Sequence, residues 1–229
     1  MSNHFDLDSN LNKEKFLSAS KALNFVKDGM VIGLGTGSTA DIFISLLGQK
    51  VVEEKLSIQC IATSSRTKNN ASNVGLNVVS LDDVKSVDLA VDGADMVDKN
   101  KNLIKGYGGA LVREKIVAYA SKKFVVIIDS SKLSPSGFLN KEVPIEYVPF
   151  AHSLVLAHLK KLGAKKISER LEGSQKFVSD NQNWLFDVYF GEIKNPDKLE
   201  EEINKIPGIV ENGIFSQKKP IIICAGKEI

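Results

Sequence analysis

Short runs of almost wholly apolar residues alternate with helical patterns over the first 130 residues, and this alternation constrains the fold more than any other feature. The strand-like runs are residues 30–32, 57–61, 77–79, 87–91 and 124–128. Helical patterns separate several of them, notably residues 66–74 and 111–120. Strands without a polar face are typical of a parallel sheet that is buried between helices. The sequence therefore predicts an α/β fold with a mostly parallel sheet and helices on both faces.

The pattern changes after residue 131. Residues 143–148 contain Pro144 and are predicted to form an edge strand, because proline removes a backbone donor from the ladder. The patterns that follow are helical at 154–162, strand-like at 184–190 and helical at 197–203, as in a smaller α+β domain. The apolar tail, residues 220–224, can rejoin the first sheet.

These boundaries predict two domains. The larger contains residues 1–131 and 207–229, and a small α+β domain of residues 132–206 is inserted into it. A chain of this length can bury a large core without a metal or a disulfide.

The composition argues against several classes of protein. With 43% hydrophobic and 25% charged residues, the chain has the profile of an ordinary globular protein. Its 30 basic and 28 acidic side chains leave a net charge of +2 without a basic stripe, so no nucleic-acid partner is expected. No apolar stretch approaches the roughly 20 residues that span a bilayer, so no membrane association is expected either.

The amino terminus and the cysteines predict a cytoplasmic protein. Residues 1–6 lack the basic segment and apolar run that mark a signal peptide. Cys60 and Cys224 are too few for a disulfide framework, so we interpret them as buried hydrophobes in a reducing cytosol. No metal site is predicted, because the histidines share no ligand spacing with a cysteine or carboxylate; they are His4, His152 and His158.

A glycine-rich turn, GLGTGSTA at residues 33–40, lies where a strand passes into a helix. Glycines let the backbone approach a ligand, and the first N–H groups of a helix attract anions, so the turn predicts a phosphate site. Its hydroxyl donors are Thr36, Ser38 and Thr39. Two alternatives stay open. One is a tight turn capped by Ser38; the other is a dinucleotide site, because residues 35–40 fit G-x-G-x-x-A although Glu53 and Glu54 poorly match the expected acidic residue.

Polar segments also follow the later strand-like runs, namely TSSRT at 63–67, DGAD at 92–95 and DSSK at 129–132. The carboxyl ends of parallel strands form the edge at which ligands bind in open α/β sheets, so we expect these segments at one edge. Hydroxyls and a guanidinium suit a phosphate or a sugar, and Asp92 and Asp95 could share one polyol. The structural alternatives are a capped helix start, an Asp-Gly turn and a solvated Lys132.

A second glycine-rich segment, KGYGGA at residues 105–110, opens the helical pattern that contains Glu114. A helical wheel places the core stripe of that helix on Val112, Ile116, Tyr119 and Ala120. Glu114 lies nearly opposite this stripe and is predicted to face solvent or a cleft. A glutamate between Arg113 and Lys115 is usually a solvated charge, but a glycine-rich entry would let a substrate approach the first turn of the helix.

Taken in order, the polar and glycine-rich segments closely resemble the ribose-5-phosphate isomerase A family. The resemblance continues through DNQN at 180–183 and PGIVENGIF at 207–215, so it covers nearly the whole chain. It implies a Rossmann-like catalytic domain that interconverts D-ribose 5-phosphate and D-ribulose 5-phosphate in the non-oxidative pentose phosphate pathway. It also implies that no cofactor or metal is needed, and that the protein is a homo-oligomer, most often a dimer.

The resemblance implies roles for individual residues. Glu114 would be the base that moves a proton between C2 and C1 through an enediolate. Lys105 and the neighbouring N–H groups would stabilise the oxygen that becomes negative. Asp92 and Asp95 would bind sugar hydroxyls, and one of them, for which we favour Asp92, would assist ring opening. The implied substrate-binding residues are Thr36, Gly37, Ser38, Thr39, Ser65, Asp92, Gly93, Ala94, Asp95, Lys105, Gly106, Tyr107, Gly108 and Lys132.

Tyr107 departs from the family pattern, since family members often have glycine at this position, and it leaves the conformation of the loop open. Two other functions are weighed. An NAD-dependent oxidoreductase fits the glycine fingerprint but lacks the acid that binds the ribose. A non-catalytic sugar-phosphate sensor would keep the binding residues, but it would have no use for a base such as Glu114 beside Lys105.

Overall fold

The structure, a computed structural model, describes residues 9–229, so residues 1–6 and His4, interpreted above, lie outside the described residues. In the described range the α-helices are α1 (Asn10–Ala22), α2 (Ser38–Glu54), α3 (Ser65–Asn73), α4 (Leu111–Ala120), α5 (His152–Lys161) and α6 (Pro196–Asn204). The strands are β1 (Val31–Leu34), β2 (Gln59–Ala62), β3 (Val87–Asp92), β4 (Met96–Val97), β5 (Leu103–Ile104), β6 (Ser121–Ile128), β7 (Val143–Tyr147), β8 (Lys166–Glu169), β9 (Leu171–Glu172), β10 (Gln175–Lys176), β11 (Trp184–Tyr189), β12 (Ile209–Asn212), β13 (Ile214–Phe215), β14 (Ile221–Cys224) and β15 (Lys227–Glu228). Short 3-10 helices occur at Leu23–Phe25, Leu81–Asp83, Ser130–Lys132 and Pro149–Ala151.

Contacts divide the described chain into two units. The first contains the described residues up to Gly93, together with Arg113–Lys132 and Pro220–Ile229. The second contains Ala94–Val112 and Leu133–Lys219.

The first unit is built on a sheet with the strand order β15-β14-β6-β3-β1-β2. All neighbouring strands are parallel except β14 and β15. The apolar tail does rejoin this sheet, because β14 pairs in register with the end of β6 from Ile221↔Val125 to Cys224↔Ile128. The prediction of a mostly parallel sheet is therefore confirmed.

Helices cover both faces of this sheet. In β1 the side chains of Ile32 and Leu34 join a core cluster that also contains Phe43 of α2. Gly33 points to the other face, where a Cβ atom would come within 2.3 Å of Cγ1 of Val117 in α4. Successive strand residues face opposite sides of a sheet, so α2 and α4 lie on opposite faces. The predicted double covering is confirmed.

The buried face of α4 differs from the prediction. Ile116 and Tyr119, expected in the core stripe, are 49% and 40% exposed, whereas the buried side chains are Leu111, Glu114, Lys115, Val117 and Ala118. The hydrophobic period assigns charged residues to the solvent side of a helix, and this helix instead buries two of them. The predicted stripe was therefore wrong.

The strand expected at residues 77–79 is reduced to an isolated bridge between Val78 and Cys60. Two backbone hydrogen bonds support the bridge, from Cys60 N–H to the Asn77 carbonyl at 2.8 Å and from Val79 N–H to the Cys60 carbonyl at 3.0 Å. The segment ends before a longer ladder forms, because a capped 3-10 helix begins at Leu81.

The second unit contains antiparallel sheets. The largest has the strand order β12-β7-β11-β8, a smaller one has the order β13-β5-β4, and β9 pairs with β10 as a hairpin. Side chains from α5, α6 and the larger sheet form its core, which includes Tyr147, Leu159, Phe186 and Ile203.

Strand β7 lies inside the sheet, between β12 and β11, and the prediction of an edge strand was wrong. The pairing of β7 with β12 ends at the position where Pro144, which has no N–H, would have to donate a backbone hydrogen bond to the Gly213 carbonyl. Gly213 N–H donates to the Pro144 carbonyl at 2.7 Å, and the Gly213 carbonyl accepts instead from Lys105 N–H at 2.9 Å. The N–H of Lys105, which follows β5, thus takes the place of the N–H that proline lacks. An interior strand can therefore contain Pro144 without leaving the Gly213 carbonyl unpaired.

The units differ from the predicted domains in two segments and at Lys132, which was expected in the small domain and belongs to the first unit. Residues 94–112 and 207–219, expected in the larger domain, belong to the second unit. The reason is pairing between distant segments: β5 pairs with β13, and β12 pairs with β7. Strands of two residues, such as β5 and β13, carry no periodic pattern, so the sequence did not reveal their pairing.

We expect both cysteines to resist alkylation in the native protein. Cys60 and Cys224 are buried free thiols, and burial raises the pKa of Cys60 to about 12. The pKa of Cys224 is also raised, mainly by burial and then by the charges of Glu14 and Asp129. Because the thiolate is the reactive form, mass spectrometry should find no carbamidomethyl group after native iodoacetamide treatment and two after treatment in denaturant. Rapid native labelling of Cys60 would contradict this packing.

Candidate functional site

The first unit brings four of the predicted polar segments to one edge of its sheet. The parallel strands β6, β3, β1 and β2 are neighbours in that order, so their carboxyl ends lie side by side. Residues 129–132, 35–38 and 63–65 follow three of those ends, and Asp92 and Gly93 form the fourth, with Asp92 as the last residue of β3. The sequence-based expectation of a shared edge is correct for these segments.

Asp92 holds the glycine-rich turn that follows β1. Its Oδ1 atom accepts the N–H of Thr36 at 3.1 Å and the N–H of Gly93 at 2.7 Å. The carboxylate is 4% exposed, and it lies so close to the turn that a Cβ atom at Gly35 would be 1.9 Å from Oδ1. Glycine is therefore required at position 35 by direct contact with the aspartate.

The hydroxyl of Thr36 belongs to a buried cluster of hydroxyls. Its Oγ1 lies 2.8 Å from Thr63 Oγ1, 2.9 Å from Ser64 Oγ and 3.0 Å from Thr67 Oγ1. Thr67 Oγ1 also donates to the Gly35 carbonyl at 2.9 Å. These bonds direct the side chain of Thr36 inward and fix the turn against the start of α3.

The turn delivers the amino terminus of α2. Gly37 is the N-cap residue, and no side chain caps the helix there, so Ser38 is the first helical residue and not the cap. The first N–H groups of a helix have no partner within the helix and attract an anion. Ser38 is exposed, while Thr39 is buried.

Lys15 of α1 adds a cation that the sequence analysis missed. Its Nζ atom donates to Ser38 Oγ at 3.3 Å, beside the start of α2. On α1 the carboxylate of Glu14 accepts the Ser130 N–H at 2.7 Å. A single lysine in an amphipathic helix carries no distinguishing sequence pattern, so only the fold identifies it.

Ser65 and Lys132 begin and end short elements at the same edge. Ser65 is the exposed first residue of α3, whose N-cap Ser64 accepts Thr67 N–H at 3.0 Å. Lys132 ends the 3-10 helix that follows β6 and is half-buried. Arg66, the guanidinium of this segment, instead forms an ion pair with Asp41.

The second unit places Asp95 and Lys105 at the base of a small hairpin. Asp95 N–H donates to the Ile104 carbonyl at 2.8 Å, and Ala94, next to it, is buried. The side chain of Lys105 is 2% exposed, with Nζ 5.6 Å from the centre of the Phe215 ring. An ammonium over an aromatic face gains electrostatic attraction that offsets part of its lost hydration.

The glycine loop tolerates Tyr107 because the positive φ angles fall on its glycines. Gly106 has φ +101° and Gly109 has φ +77°, whereas Tyr107 does not lie in that region. Tyr107 N–H donates to Asp95 Oδ2 at 3.0 Å, and its hydroxyl donates to the Glu142 carbonyl at 3.2 Å. Burial, and then the charges of Glu142 and Asp95, raise the pKa of the Tyr107 phenol, so it stays protonated.

Glu114 lies in the first turn of α4 and is only 2% exposed. The sequence predicted a carboxylate facing solvent or a cleft, and the structure buries it. A negative charge is favoured near the amino terminus of a helix, which offsets part of the cost of burying it.

Residues 9–229 contain no group of three His, Cys, Asp or Glu side chains arranged to hold a metal ion. None of the helices described in that range is long and apolar enough to cross a membrane.

The chain is similar to known proteins over most of its length. Residues 59–228 match the family described as Ribose 5-phosphate isomerase A (phosphoriboisomerase A). The ribose-5-phosphate isomerase A of Archaeoglobus fulgidus is 45% identical over 217 residues, which cover 93% of this chain and 94% of the relative. That of Methanococcus aeolicus is 41% identical over 210 residues, covering 90% and 88% respectively.

Solved structures give the same result. Ribose 5-phosphate isomerase A from Methanocaldococcus jannaschii superimposes with a TM-score of 0.88 at 41% identity, covering 93% of this chain and 94% of that one. A D-ribose-5-phosphate isomerase in complex with phospho-erythronic acid gives a TM-score of 0.90 at 39% identity, covering 96% and 99%.

We expect Gly35→Ala to destabilise the protein by about 2–3 kcal/mol, because the new methyl group must displace Asp92 or the turn in a packed region. Gly93→Ala is the matched control, since a Cβ atom there meets only the Ile127 carbonyl oxygen at 3.9 Å. Urea unfolding of both variants measures the difference. Equal midpoints for the two variants would show that the contact between Gly35 and Asp92 is not a constraint.

Proposed function

The chain belongs to the ribose 5-phosphate isomerase A family, and on that premise we propose how its residues interconvert D-ribose 5-phosphate and D-ribulose 5-phosphate. The relatives are named for this isomerisation and favour neither an NAD-dependent oxidoreductase nor a non-catalytic sensor. The reaction belongs to the non-oxidative pentose phosphate pathway. The observation that carries the proposed mechanism is the burial of Glu114, a carboxylate with 2% exposure in a first helical turn.

Glu114 is the proposed base. Its carboxylate takes the proton from C2 of the open-chain aldose, and the electrons of that C–H bond form the C1–C2 double bond of an enediolate. Glu114 then returns the proton to C1, while O1 gains a proton and O2 loses one, which gives the ketose. A buried carboxylate is excluded from competing exchange with solvent, as a base that must return its proton requires.

Lys105 and the loop after it are the proposed stabilisers of the enediolate. Negative charge develops on O1 as the C2 proton leaves, and a fixed ammonium stabilises that charge more strongly where water is excluded. Lys105 is 2% exposed and so meets this condition. The N–H groups of Gly106 and Gly108 add donors without bulky side chains, while the N–H of Tyr107 between them donates to Asp95 Oδ2.

Asp92 and Asp95 are proposed to bind the sugar hydroxyls, with Gly93 and Ala94 forming the backbone between them. Backbone donors hold each carboxylate in place, through Thr36 N–H for Asp92 and Tyr107 N–H for Asp95. Asp92 is the proposed group that assists ring opening: it takes the proton of the anomeric hydroxyl and passes it to the ring oxygen as the bond between C1 and that oxygen breaks.

The start of α2 is the proposed phosphate site, formed by Gly37, Ser38 and Thr39 with Lys15 beside them. Thr36 supports this turn from within its hydroxyl cluster. Ser65 and Lys132, at the same sheet edge, are the proposed outer contacts. A dianion held far from C1 and C2 supplies binding energy that the chemical step can use.

Two broader features are part of the proposal. A reducing cytoplasm suits a chain whose described cysteines are free and buried. A homodimer would cover apolar side chains of the second unit, where Phe150 is fully exposed and Val148 and Leu154 are 42% and 45% exposed.

Light scattering tests the dimer. We expect about twice the chain mass of 25.0 kDa, and a shift toward one chain mass for Phe150→Asp, since a buried charge opposes an apolar interface. A single-chain mass for the unchanged protein would contradict the dimer.

The isomerisation itself is tested with purified protein, ribose 5-phosphate and excess EDTA, without added nucleotide. We expect rapid turnover, and a kcat at least ~10²-fold lower for Glu114→Gln with little loss of substrate affinity, because the amide keeps the shape and removes the base. Turnover that is lost in EDTA and restored by a divalent ion would contradict the proposed metal-free reaction.

Glu200→Gln is the matched control, because Glu200 is also a buried helical glutamate, 4% exposed, whose Oε2 accepts the Ser216 N–H at 3.0 Å. An amide oxygen can accept the same bond, so near-normal turnover is expected. Near-normal turnover of Glu114→Gln itself would remove Glu114 from the role of base.

A further inference from the structure

Arg170 holds the glycine loop of the second unit from the side opposite to Asp95. We propose that Arg170 is a positioning residue of the isomerisation: it fixes two peptide planes of the loop, and thereby the direction of the N–H groups that serve Asp95 and the enediolate. The inference rests on the proposed function, and it assigns a role to a residue outside every segment that the sequence analysis selected.

The guanidinium of Arg170 makes two kinds of contact. Its Nη1 atom donates to the Gly106 carbonyl at 2.8 Å and to the Tyr107 carbonyl at 3.3 Å. Its Nε atom donates to Asp187 Oδ2 at 2.9 Å, and Nη2 pairs with Asp187 Oδ1. A planar, two-point ion pair with a strand residue leaves the guanidinium little rotational freedom, so Nη1 is fixed toward the loop.

The backbone of Arg170 is equally fixed. Its N–H donates to the Leu185 carbonyl and its carbonyl accepts from Phe177 N–H, both at 2.9 Å. The side chain is 12% exposed. Arg170 therefore connects the loop to the paired strands of the antiparallel sheet.

The geometry of a trans peptide carries this constraint to the N–H groups. A trans peptide directs its C=O and N–H to opposite sides, and none of the described bonds is cis. The peptide between Gly106 and Tyr107 presents its carbonyl to Arg170 and its N–H to Asp95 Oδ2, at 3.0 Å. In the next peptide Arg170 binds the Tyr107 carbonyl, so the N–H of Gly108 points away from the guanidinium.

Asp187 keeps the arrangement electrically balanced. With its carboxylate paired to the guanidinium, Arg170 contributes direction and polarisation more than net charge. A carbonyl that accepts a charge-assisted hydrogen bond makes the N–H of the same peptide a better donor. The loop N–H groups thus meet the two requirements for stabilising an enediolate, which are fixed direction and strong donation.

The experiment compares the wild type with Arg170→Ala, Arg170→Lys and the control Lys176→Ala. Lys176 lies in the same unit but contacts Glu169 at 3.1 Å and the Trp184 ring at 4.1 Å. For Arg170→Ala we expect a fall in kcat of about 10²-fold with little change in KM, as for a misplaced catalytic group. Arg170→Lys should be intermediate, because an ammonium cannot hold Asp187 and both carbonyls together.

Inhibition separates positioning from a general loss of structure. Phospho-erythronic acid carries a carboxylate, a group that can accept the same N–H groups as an enediolate oxygen, so its affinity should fall with kcat in Arg170→Ala. Affinity for inorganic phosphate should stay unchanged. Lys176→Ala should keep the wild-type kcat and the wild-type affinities for phospho-erythronic acid and inorganic phosphate.

Rescue by a small guanidinium gives a second readout. A cavity of about 340 Å³ is lined by Tyr107, Glu142, Ser168, Arg170 and Asp187, which leaves room for ethylguanidinium beside the loop when the arginine side chain is removed. Added ethylguanidinium should restore part of the kcat of Arg170→Ala and leave the wild type and Lys176→Ala unchanged.

The outcomes are distinct. An active wild type with near-normal kcat in Arg170→Ala overturns the positioning role alone. So does a kcat loss without rescue and with unchanged affinity for phospho-erythronic acid, which marks a structural role. If Arg170→Ala does not fold, the same comparison is made with Arg170→Lys: its affinity for phospho-erythronic acid should fall while its affinity for inorganic phosphate stays unchanged. An inactive wild type overturns the proposed function, and the positioning role with it.

Discussion

The contact between Asp92 and the turn after β1 is the constraint on which the edge of the first unit depends. Asp92 ends β3, and its Oδ1 atom accepts N–H groups from Thr36 and Gly93. The neighbouring strand must therefore pass without a side chain at Gly35, where a Cβ atom would lie 1.9 Å from the carboxylate. This close passage sets where α2 begins, and hence which N–H groups are presented to an anion.

Several charged side chains are buried at a cost in folding free energy, and each unit offsets that cost in its own way. In the second unit Lys105 lies over Phe215, and Glu146, fully buried, accepts hydrogen bonds from Ser179, Asn181 and Asn183 on one oxygen. In the first unit Glu114 lies at the favourable end of a helix. Removing a charge from water costs several kcal/mol per ion, and these local contacts offset part of that cost.

Local patterns predicted the parallel sheet and its glycine-rich turn, because strand burial, helix period and turn chemistry are properties of neighbouring residues. They failed where distant segments decide the outcome. The buried face of α4 contains Glu114, against the rule that charges face solvent, and β7 is interior although it contains Pro144. Lys15 and Arg170 carried no pattern, since a single cation in a helix or between two strands becomes informative only when the fold shows what it contacts.

Pro144 helps to determine why β12 and β13, which follow each other in the chain, belong to two different sheets. Gly213 N–H donates to the Pro144 carbonyl, so any other residue at 144 would offer its own N–H to the Gly213 carbonyl, in competition with Lys105 N–H. Two donors would then compete for one acceptor, and β12 could extend its ladder along β7 while β5 lost its anchor. Because proline has no N–H, this competition cannot occur. The Gly213 carbonyl stays available to the backbone N–H of the buried Lys105, and the ladder between β12 and β7 ends there.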